Sequence, residues 1–128
     1  MLEGLPPNNA AHVARLRTDE ATARAIADIA RLANKSKVAA EFTTKANELK
    51  RLTQQHLWDT NANFFKVLVA TNPSVSSISY VLSDAREAIG FIPWMFNLPD
   101  TNPAHAAAFA QLTDAQGFAA PFGITTAE

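Results

Sequence analysis

Six carboxylates lie in or beside segments that the sequence predicts to be loops, where catalytic side chains are often found. They are Asp59, Asp84, Glu87, Asp100, Asp114 and Glu128. A carboxylate in such a place can act as a general acid or base. A structural role is the stronger interpretation for each, because Asp59 and Asp114 begin turns and Asp100 precedes a helix. We therefore name no catalytic residue in this chain.

The other residue types that support chemistry do not form recognisable sets. The three histidines, His12, His56 and His105, are far apart and match no zinc-ligand spacing. The four glycines form neither a phosphate loop nor a nucleophile elbow. The chain has no cysteine, which excludes disulfides, thiolate catalysis and cysteine-type zinc sites. We expect no metal and no cofactor.

The aromatic side chains near the C-terminus have two interpretations that composition alone leaves open. These residues are Trp94, Phe96, Phe118 and Phe122. They can pack into a core, or they can form a platform on which the C–H face of a sugar ring stacks. Polar partners for a sugar would then stand beside Phe122, at Thr125, Thr126 and Glu128.

Composition restricts the class of protein. The chain has 128 residues, of which 48% are hydrophobic, and its formal net charge is −1. This balance of charge argues against nucleic-acid and membrane-surface partners, which need a clustered basic face. No apolar run approaches the roughly 20 residues of a membrane span, and the N-terminus lacks the pattern of a signal peptide. The compartment stays unknown.

Two amphipathic helices are predicted in the first half. The first runs from Thr18, its N-cap, to about Asn34, with an apolar face made by Ile26, Ile29, Ala30 and Ala33. The second follows an N-cap at Ser36 and runs from Lys37 to about Leu57. The short link between them predicts an antiparallel helical hairpin.

The second half predicts shorter elements. A strand over Phe64 to Ala70 and another over Ile78 to Leu82 form a β-hairpin inserted between helices. A short helix follows Asn102 as N-cap and Pro103 as its first residue. The aromatic segment 86–99 fits neither a helical nor a strand period, and the residues from Thr113 onward show no period.

These elements leave apolar faces without partners, which indicates part of a larger, mainly helical domain. We assign residues 1–17 to a linker or incomplete preceding element and residues 18–128 to a fragment of that domain.

Three segments, in this order and at these separations, resemble catalytic domains of the glycoside hydrolase family 63 type, including those similar to mannosylglycerate hydrolases. They are LWDTNANFFKV (57–67), REAIGFIPWMFNLP (86–99) and FAQLTDAQGFAAPFGITTAE (109–128). The pattern A-x-x-F-x-x-K-A from Ala39 to Ala46 agrees with them. The resemblance covers most of the chain from about Thr18 onward.

The resemblance implies an (α/α)6 toroid, a ring of six helical hairpins, here partial, with an inserted β-hairpin and long aromatic loops. It implies a role in carbohydrate metabolism, by hydrolysis of glucosides or mannosides with inversion, through an acid and a base far enough apart to admit a water. The acid is expected upstream of Met1 and the base downstream of Glu128, so that the chain alone is expected to be inactive.

The resemblance also implies a carbohydrate partner and a set of substrate-binding residues. These are Trp94 in the pocket wall, and Phe122, Gly123, Thr125, Thr126 and Glu128 at its rim. The chain departs from the family pattern at three positions. Met95 and Phe122 stand where tyrosine is expected, and Ile124 replaces a common proline. Phe122 therefore lacks a hydroxyl that a tyrosine would offer to a sugar.

An alternative belongs to another class: a small helical module that binds a protein or a carbohydrate without catalysis. It predicts a chain that folds cooperatively by itself. An aggregating or molten chain contradicts it, because an uncovered apolar face favours association.

Overall fold

Two long helices come first, and short elements joined by tight turns follow them. The computed structural model describes the backbone of residues 9–71 and 79–127 and the side chains of residues 19–71 and 79–127. Helix α1 is Asn9–Leu32 and α2 is Ser36–Leu57, followed by the short helices α3, Ile92–Met95, and α4, Pro103–Ala107. Helices account for about half of the chain, which confirms a mainly helical fold.

The described residues form six short strands, which pair two by two in antiparallel fashion. They are β1 (Trp58–Asp59), β2 (Phe64–Phe65), β3 (Leu68–Ala70), β4 (Tyr80–Leu82), β5 (Ala119–Ala120) and β6 (Gly123–Ile124). In the described residues β1 pairs with β2, β3 with β4 and β5 with β6. None of the described helices has the length and apolar character needed to cross a bilayer.

Small side chains allow α1 and α2 to pack closely. Buried alanines occupy the facing sides of both helices: Ala23, Ala27 and Ala30 on α1, and Ala39 and Ala46 on α2. Helices that are joined by a three-residue link and packed together run antiparallel, which confirms the predicted hairpin.

The predicted details of α1 are partly wrong. The helix begins at Asn9, so residues 9–17 belong to it and Thr18 is not its N-cap. Of the four residues predicted to form its apolar face, only Ala30 is buried, and Ile29 is largely exposed. The prediction followed the largest apolar side chains, whereas the packed face is made of alanines with the buried carboxylate of Glu20.

Asparagine ends two of the helices in the same way. Asn34 follows α1 with a φ of 56°, and Asn97 follows α3 with a φ of 53°. In both cases the next backbone N–H reaches back five residues, from Lys35 to the carbonyl of Ala30 and from Leu98 to that of Pro93. This is the Schellman arrangement, which satisfies the last carbonyls of a helix. At the start of α2, Lys35 holds the N-cap position without a side-chain cap, so the predicted cap at Ser36 is wrong.

The predicted β-hairpin is confirmed in its second half only. In β3 and β4 Leu68 pairs with Leu82, and Ala70 pairs with Tyr80. Phe64 and Phe65 instead pair back onto Asp59 and Trp58. The predicted strand is therefore two strands, and Ile78 lies outside the described residues. The predicted N-cap at Asn102 is correct, since its side chain accepts a hydrogen bond from the N–H of His105.

Eight of the fourteen residues in the segment 86–99 are helical rather than irregular. A 3-10 turn over residues 88–91 leads directly into α3. Pro93 lies in the first turn of α3, where its missing N–H costs no hydrogen bond. The element is only about two turns long, which is too short to show a helical period in the sequence. Its last residue, Met95, and the following Phe96 are exposed.

Interlocking aromatic rings form the core of the second half; we call them the aromatic cluster. The cluster comprises Trp58, Phe64, Phe65, Phe91, Trp94, His105, Phe109 and Phe118. Phe64, Phe65 and Phe118 are fully buried. Trp58 and Trp94 contact both of the buried groups of residues, around Phe65 and around Phe64 and Phe118. These contacts join strands, helices and turns that are distant in sequence into one core.

A partly buried ion pair stabilises the turn between β1 and β2. Asp59 Oδ1 accepts the N–H groups of Asn61 and Ala62 at 2.8 and 3.2 Å. Its other oxygen lies 3.0 Å from Lys66 Nζ. Burial alone would raise the pKa of Asp59, but the hydrogen bonds from Lys66 and the two N–H groups outweigh it and lower the pKa.

The lowered pKa of Asp59 predicts a stability that depends on pH. The stabilisation is complete above the usual carboxyl pKa of about 3.9 and is lost as the pH falls through the lower pKa of the folded state. We expect Asp59→Asn to cost about 1–2 kcal/mol at pH 7 and progressively less as the pH falls below about 3.9, measured by urea unfolding. A difference between the two proteins that is constant from pH 7 to pH 2 contradicts this prediction.

Candidate functional site

Trp94 lies in the aromatic cluster rather than apart from it. Its ring centroid is 5.2 Å from those of both Phe65 and Phe109, and 6.1 Å from that of Phe91. The side chain is only partly buried. Because Phe109 is also substantially exposed, the two rings form an aromatic edge that reaches the surface. Trp94 is thus held by the core on one side and available to solvent on the other.

A second feature is the β-hairpin of β5 and β6, which carries Phe122 at its tip. Ala119 pairs with Ile124 and Ala120 with Gly123. Phe122 is fully exposed and Ile124 is more than half exposed. Gly123 has a φ of +148°, and a Cβ added to it would have no heavy atom within 4 Å. The hairpin therefore presents an apolar tip to solvent.

The base of this hairpin is fixed to the body of the protein. The Thr125 N–H donates to the carbonyl of Phe118 at 2.9 Å, and the carbonyl of Thr126 accepts the N–H of Ala88 at 2.8 Å. Glu87 and Ala127 form an isolated antiparallel bridge beside them. Thr126 is exposed, whereas the hydroxyl of Thr125 is buried and has no partner among the described residues.

The structure brings the predicted site residues together only in part. Gly123, Thr125 and Thr126 share the hairpin with Phe122, as their positions in sequence require. Trp94 is joined to this hairpin through two intermediate rings: Phe91 contacts Trp94, and Phe118, at the hairpin base, lies 5.4 Å from Phe91. Glu128, the remaining predicted residue, lies outside the described residues.

Three of the six loop carboxylates, Asp59, Asp100 and Asp114, have structural partners. Besides Asp59, Asp114 accepts the N–H of Gln116 at 2.9 Å, which confirms that both residues begin turns. Asp100 forms an ion pair with Lys50 at 2.7 Å and accepts a hydrogen bond from Gln54 at 2.9 Å. The hydrogen bonds from Lys50 and Gln54 lower the pKa of Asp100.

Histidines and carboxylates do not converge on a metal site in the part of the chain that is described, where no group of three or more could hold an ion. His105 is buried. Its Nδ1 lies 2.8 Å from the carbonyl oxygen of Asp100, and its ring packs edge-on against Trp58 with centroids 4.5 Å apart. These contacts give His105 a role in packing.

Gln111 is a polar centre that the sequence did not reveal. Its side chain is 8% exposed and bonds Arg86 as well as the carbonyl of Ala62. Through this bond Gln111 ties Arg86, the first residue of the aromatic segment 86–99, to the rest of the core. Gln111 lies in a 3-10 turn over Ala108–Leu112, and a glutamine there carries no signal of burial, since most glutamines are exposed.

Comparisons with known proteins agree with this architecture. No curated protein matches the sequence significantly. A solved structure of a sialidase matches with a TM-score of 0.78 and 34% sequence identity. The match covers 88% of this chain and 10% of the sialidase chain, so the chain spans about a tenth of the sialidase.

A family model matches nearly the whole chain. It describes the mannosylglycerate hydrolase MGH1-like glycoside hydrolase domain, and the match extends over residues 11–128. All of the described aromatic cluster and the whole β5–β6 hairpin lie inside the matched range. The chain therefore belongs to the family of mannosylglycerate hydrolase MGH1-like glycoside hydrolase domains.

Proposed function

We propose that these residues form part of an (α/α)6 glycoside hydrolase domain and build one wall of its carbohydrate pocket. Hydrolysis of a glucoside or mannoside, with inversion, would use an acid and a base supplied from outside residues 1–128. The family match supports a glycoside hydrolase domain. The match to the sialidase covers only 10% of that chain, which supports the proposal that these residues are part of a larger domain.

The fully exposed ring of Phe122 is the observation that carries the proposed site. Solvation of such a ring is unfavourable, and a soluble protein gains by covering it. A sugar ring offers an apolar C–H face that can stack on the phenyl ring. The base of the hairpin is hydrogen-bonded to the body of the protein, so this ring is held out from the body.

Polar groups for the sugar hydroxyls lie on the same hairpin. Thr126 is exposed beside the base, and Gly123 leaves open space next to the ring of Phe122. The hydroxyl of Thr125 is buried and unpaired among the described residues, so it becomes a partner only if a ligand or a neighbouring segment uncovers it. Glu128 completes the proposed set. Trp94 would border the same pocket further from the tip.

Exposed apolar side chains support the proposal that further helical hairpins pack around the hairpin of α1 and α2. Leu32 is 86% exposed and Met95 is 77% exposed. Ile29 and Phe96 are exposed as well. In a toroid of helical hairpins, each hairpin packs against its neighbours, and such side chains would be covered there. The carboxylates Asp59 and Asp100 are engaged with lysines in this chain, which agrees with catalytic carboxylates that come from elsewhere.

Assay of the complete open reading frame that contains this sequence tests the proposal. Substrates would be aryl α- and β-glucosides, aryl mannosides and mannosylglycerate. We expect turnover by the complete product and none by residues 1–128 alone. Phe122→Ala in the complete product should lower kcat/KM about tenfold, a loss of roughly 1.4 kcal/mol. The matched control is Val81→Ala, on the exposed face of β4, which should leave kcat/KM unchanged.

Two outcomes contradict the proposal. Turnover by the purified 128-residue chain would place the acid and base inside it. A complete product that cleaves none of these substrates, while residues 1–128 fold cooperatively and bind a sugar, would favour the non-catalytic binding module instead.

A further inference from the structure

We propose that Gln111 is a positioning residue that fixes the orientation of the β5–β6 hairpin and thereby of Phe122. The inference depends on the proposed function only for what the hairpin meets at its tip. How the hairpin is held can be argued from the contacts of the described residues alone.

The side-chain amide of Gln111 joins two separate segments. Its Nε2 donates to the carbonyl oxygen of Ala62 at 2.9 Å, with a longer contact of 3.4 Å to that of Asn63. Its Oε1 accepts a hydrogen bond from Arg86 Nη1 at 2.8 Å. Both ends of the amide are therefore used, and the charge on Arg86 strengthens the bond to Oε1.

The backbone of Gln111 holds the start of the hairpin. Its carbonyl oxygen accepts the N–H of Phe118 at 3.0 Å. A Cβ added to Gly117 would lie 2.7 Å from this oxygen, so the glycine permits the close approach. Arg86 Nη2 also lies 3.4 Å from the carbonyl of Gln116. The turn before β5 is thus bound to Gln111 directly and also through Arg86.

The three segments on which the family resemblance rests meet at this one side chain. Ala62 belongs to the first, Arg86 to the second, and Gln111 itself to the third, which ends in the hairpin. After β6, the chain is attached to the body of the protein through backbone contacts of Thr126 and Ala127. Beyond these two anchors the tip is open, since Phe122 is fully exposed. The direction of the tip is therefore set at the base, where Gln111 lies.

The chemistry of an amide suits this position better than a carboxylate or an apolar chain. A glutamate would still accept from Arg86, but it would face the carbonyl of Ala62 with an acceptor instead of a donor. A methionine has nearly the same shape and can do neither. The two substitutions therefore separate the bond to Ala62 from the bond to Arg86.

Backbone hydrogen exchange and 15N relaxation of the 128-residue chain test the proposal. In Gln111→Met, we expect the amides of Phe118 and Thr125 to exchange at least tenfold faster, and the order parameters of Ala120 and of residues 122–124 to fall below about 0.6. Amides of the β3–β4 pair should keep their rates. Gln111→Glu should have a smaller effect in the same direction.

The matched control is Gln54→Met. The amide of Gln54 also makes two hydrogen bonds, both to Asp100, at 2.9 and 2.8 Å. These bonds lie away from the hairpin, so this variant should leave residues 118–125 unchanged. A purely structural role for Gln111 would instead raise exchange evenly over the β3–β4 pair and the hairpin, and that result would overturn the proposal.

Two further measurements complete the test, one on the wild-type chain and one on the complete hydrolase. If neither Gln111 variant folds, the wild-type chain still tests the inference, because random-coil exchange at the Phe118 and Thr125 amides would overturn it. In the complete hydrolase, Gln111→Glu should raise KM for an aryl glycoside more than it lowers kcat. A complete product without activity would refute the proposed function, while the exchange data would still judge the role of Gln111.

Discussion

Replacement of Gly90 by alanine is expected to cost about 3 kcal/mol or more, although it adds a single methyl group. A Cβ at this position would lie 2.2 Å from Cε1 of Phe64 and 2.4 Å from the carbonyl oxygen of Phe65. Both distances are much shorter than any contact that a Cβ atom makes with a non-bonded carbon or oxygen atom. Because one obstacle is backbone, a change of rotamer at Phe64 cannot remove the clash. Either β2 or the 3-10 turn at residues 88–91 must move.

Urea unfolding followed by circular dichroism measures this loss, and a second glycine provides the control. Gly90 does not have a positive φ, so its requirement is one of space. Gly123 has a φ of +148° and open space around it, so its requirement is one of backbone conformation. Gly123→Ala should cost about 1–2 kcal/mol from strain alone. Equal costs for the two variants would show that β2 does not press on Gly90.

A double variant locates the clash. Phe64→Leu removes the ring that two of the three nearest atoms belong to, and leaves the carbonyl of Phe65 in place. We expect Gly90→Ala with Phe64→Leu to be less destabilised than the sum of the single variants, by about 1 kcal/mol. Strict additivity would mean that the methyl group is accommodated by movement away from Phe64.

Local features were predictable where one residue decides them. The Asp59 and Asp114 turns and the Asn102 cap all depend on a short polar side chain that bonds the backbone within three residues. The extent of α2 was likewise predictable, because its apolar positions keep a helical spacing over about six turns. Such signals are contained within a single window of sequence.

Features that depend on a distant partner were not predictable. Phe118 and Phe122 are four residues apart in similar surroundings, yet one is fully buried and the other fully exposed. What separates them is the contact of Phe118 with Phe64 and Phe91, from segments 27 to 54 residues away. The division of residues 64–70 into two strands has the same origin, since Trp58 and Asp59 turn back to pair with Phe65 and Phe64.

The resemblance to a family predicted more than hydrophobic periodicity did, because it combined segments that are distant in sequence. Its three segments supply Trp58, Phe91 and Phe118, which lie together in the aromatic cluster. They also supply the three participants in the Gln111 hydrogen bonds. Spacing alone gave no reason for Arg86 and Gln111 to be neighbours. Their hydrogen bond joins the second and third segments, so that each holds the other in place in this chain.

Replacement of Phe65 by alanine is the second change with a large expected effect, about 3–5 kcal/mol. Phe65 is fully buried, and its ring lies 4.9 Å from that of Trp58 and 5.2 Å from that of Trp94. Its loss would leave a cavity beneath both tryptophans. Removal of the ring should therefore shift the tryptophan emission to longer wavelength along with the loss of stability.

Phe122→Ala is the matched control for Phe65→Ala, because it removes the same ring from a fully exposed position. It should change the free energy of unfolding by less than about 0.5 kcal/mol and leave the emission unchanged. If Phe65→Ala does not fold, Phe65→Leu, expected to cost on the order of 1 kcal/mol, keeps the comparison possible. A large loss at Phe122 would mean that its ring is covered within this chain, by contact between copies or by closure of the hairpin. The ring would then stabilise the fold and would not be free to stack on a sugar, so this one measurement bears on both the core and the proposed site.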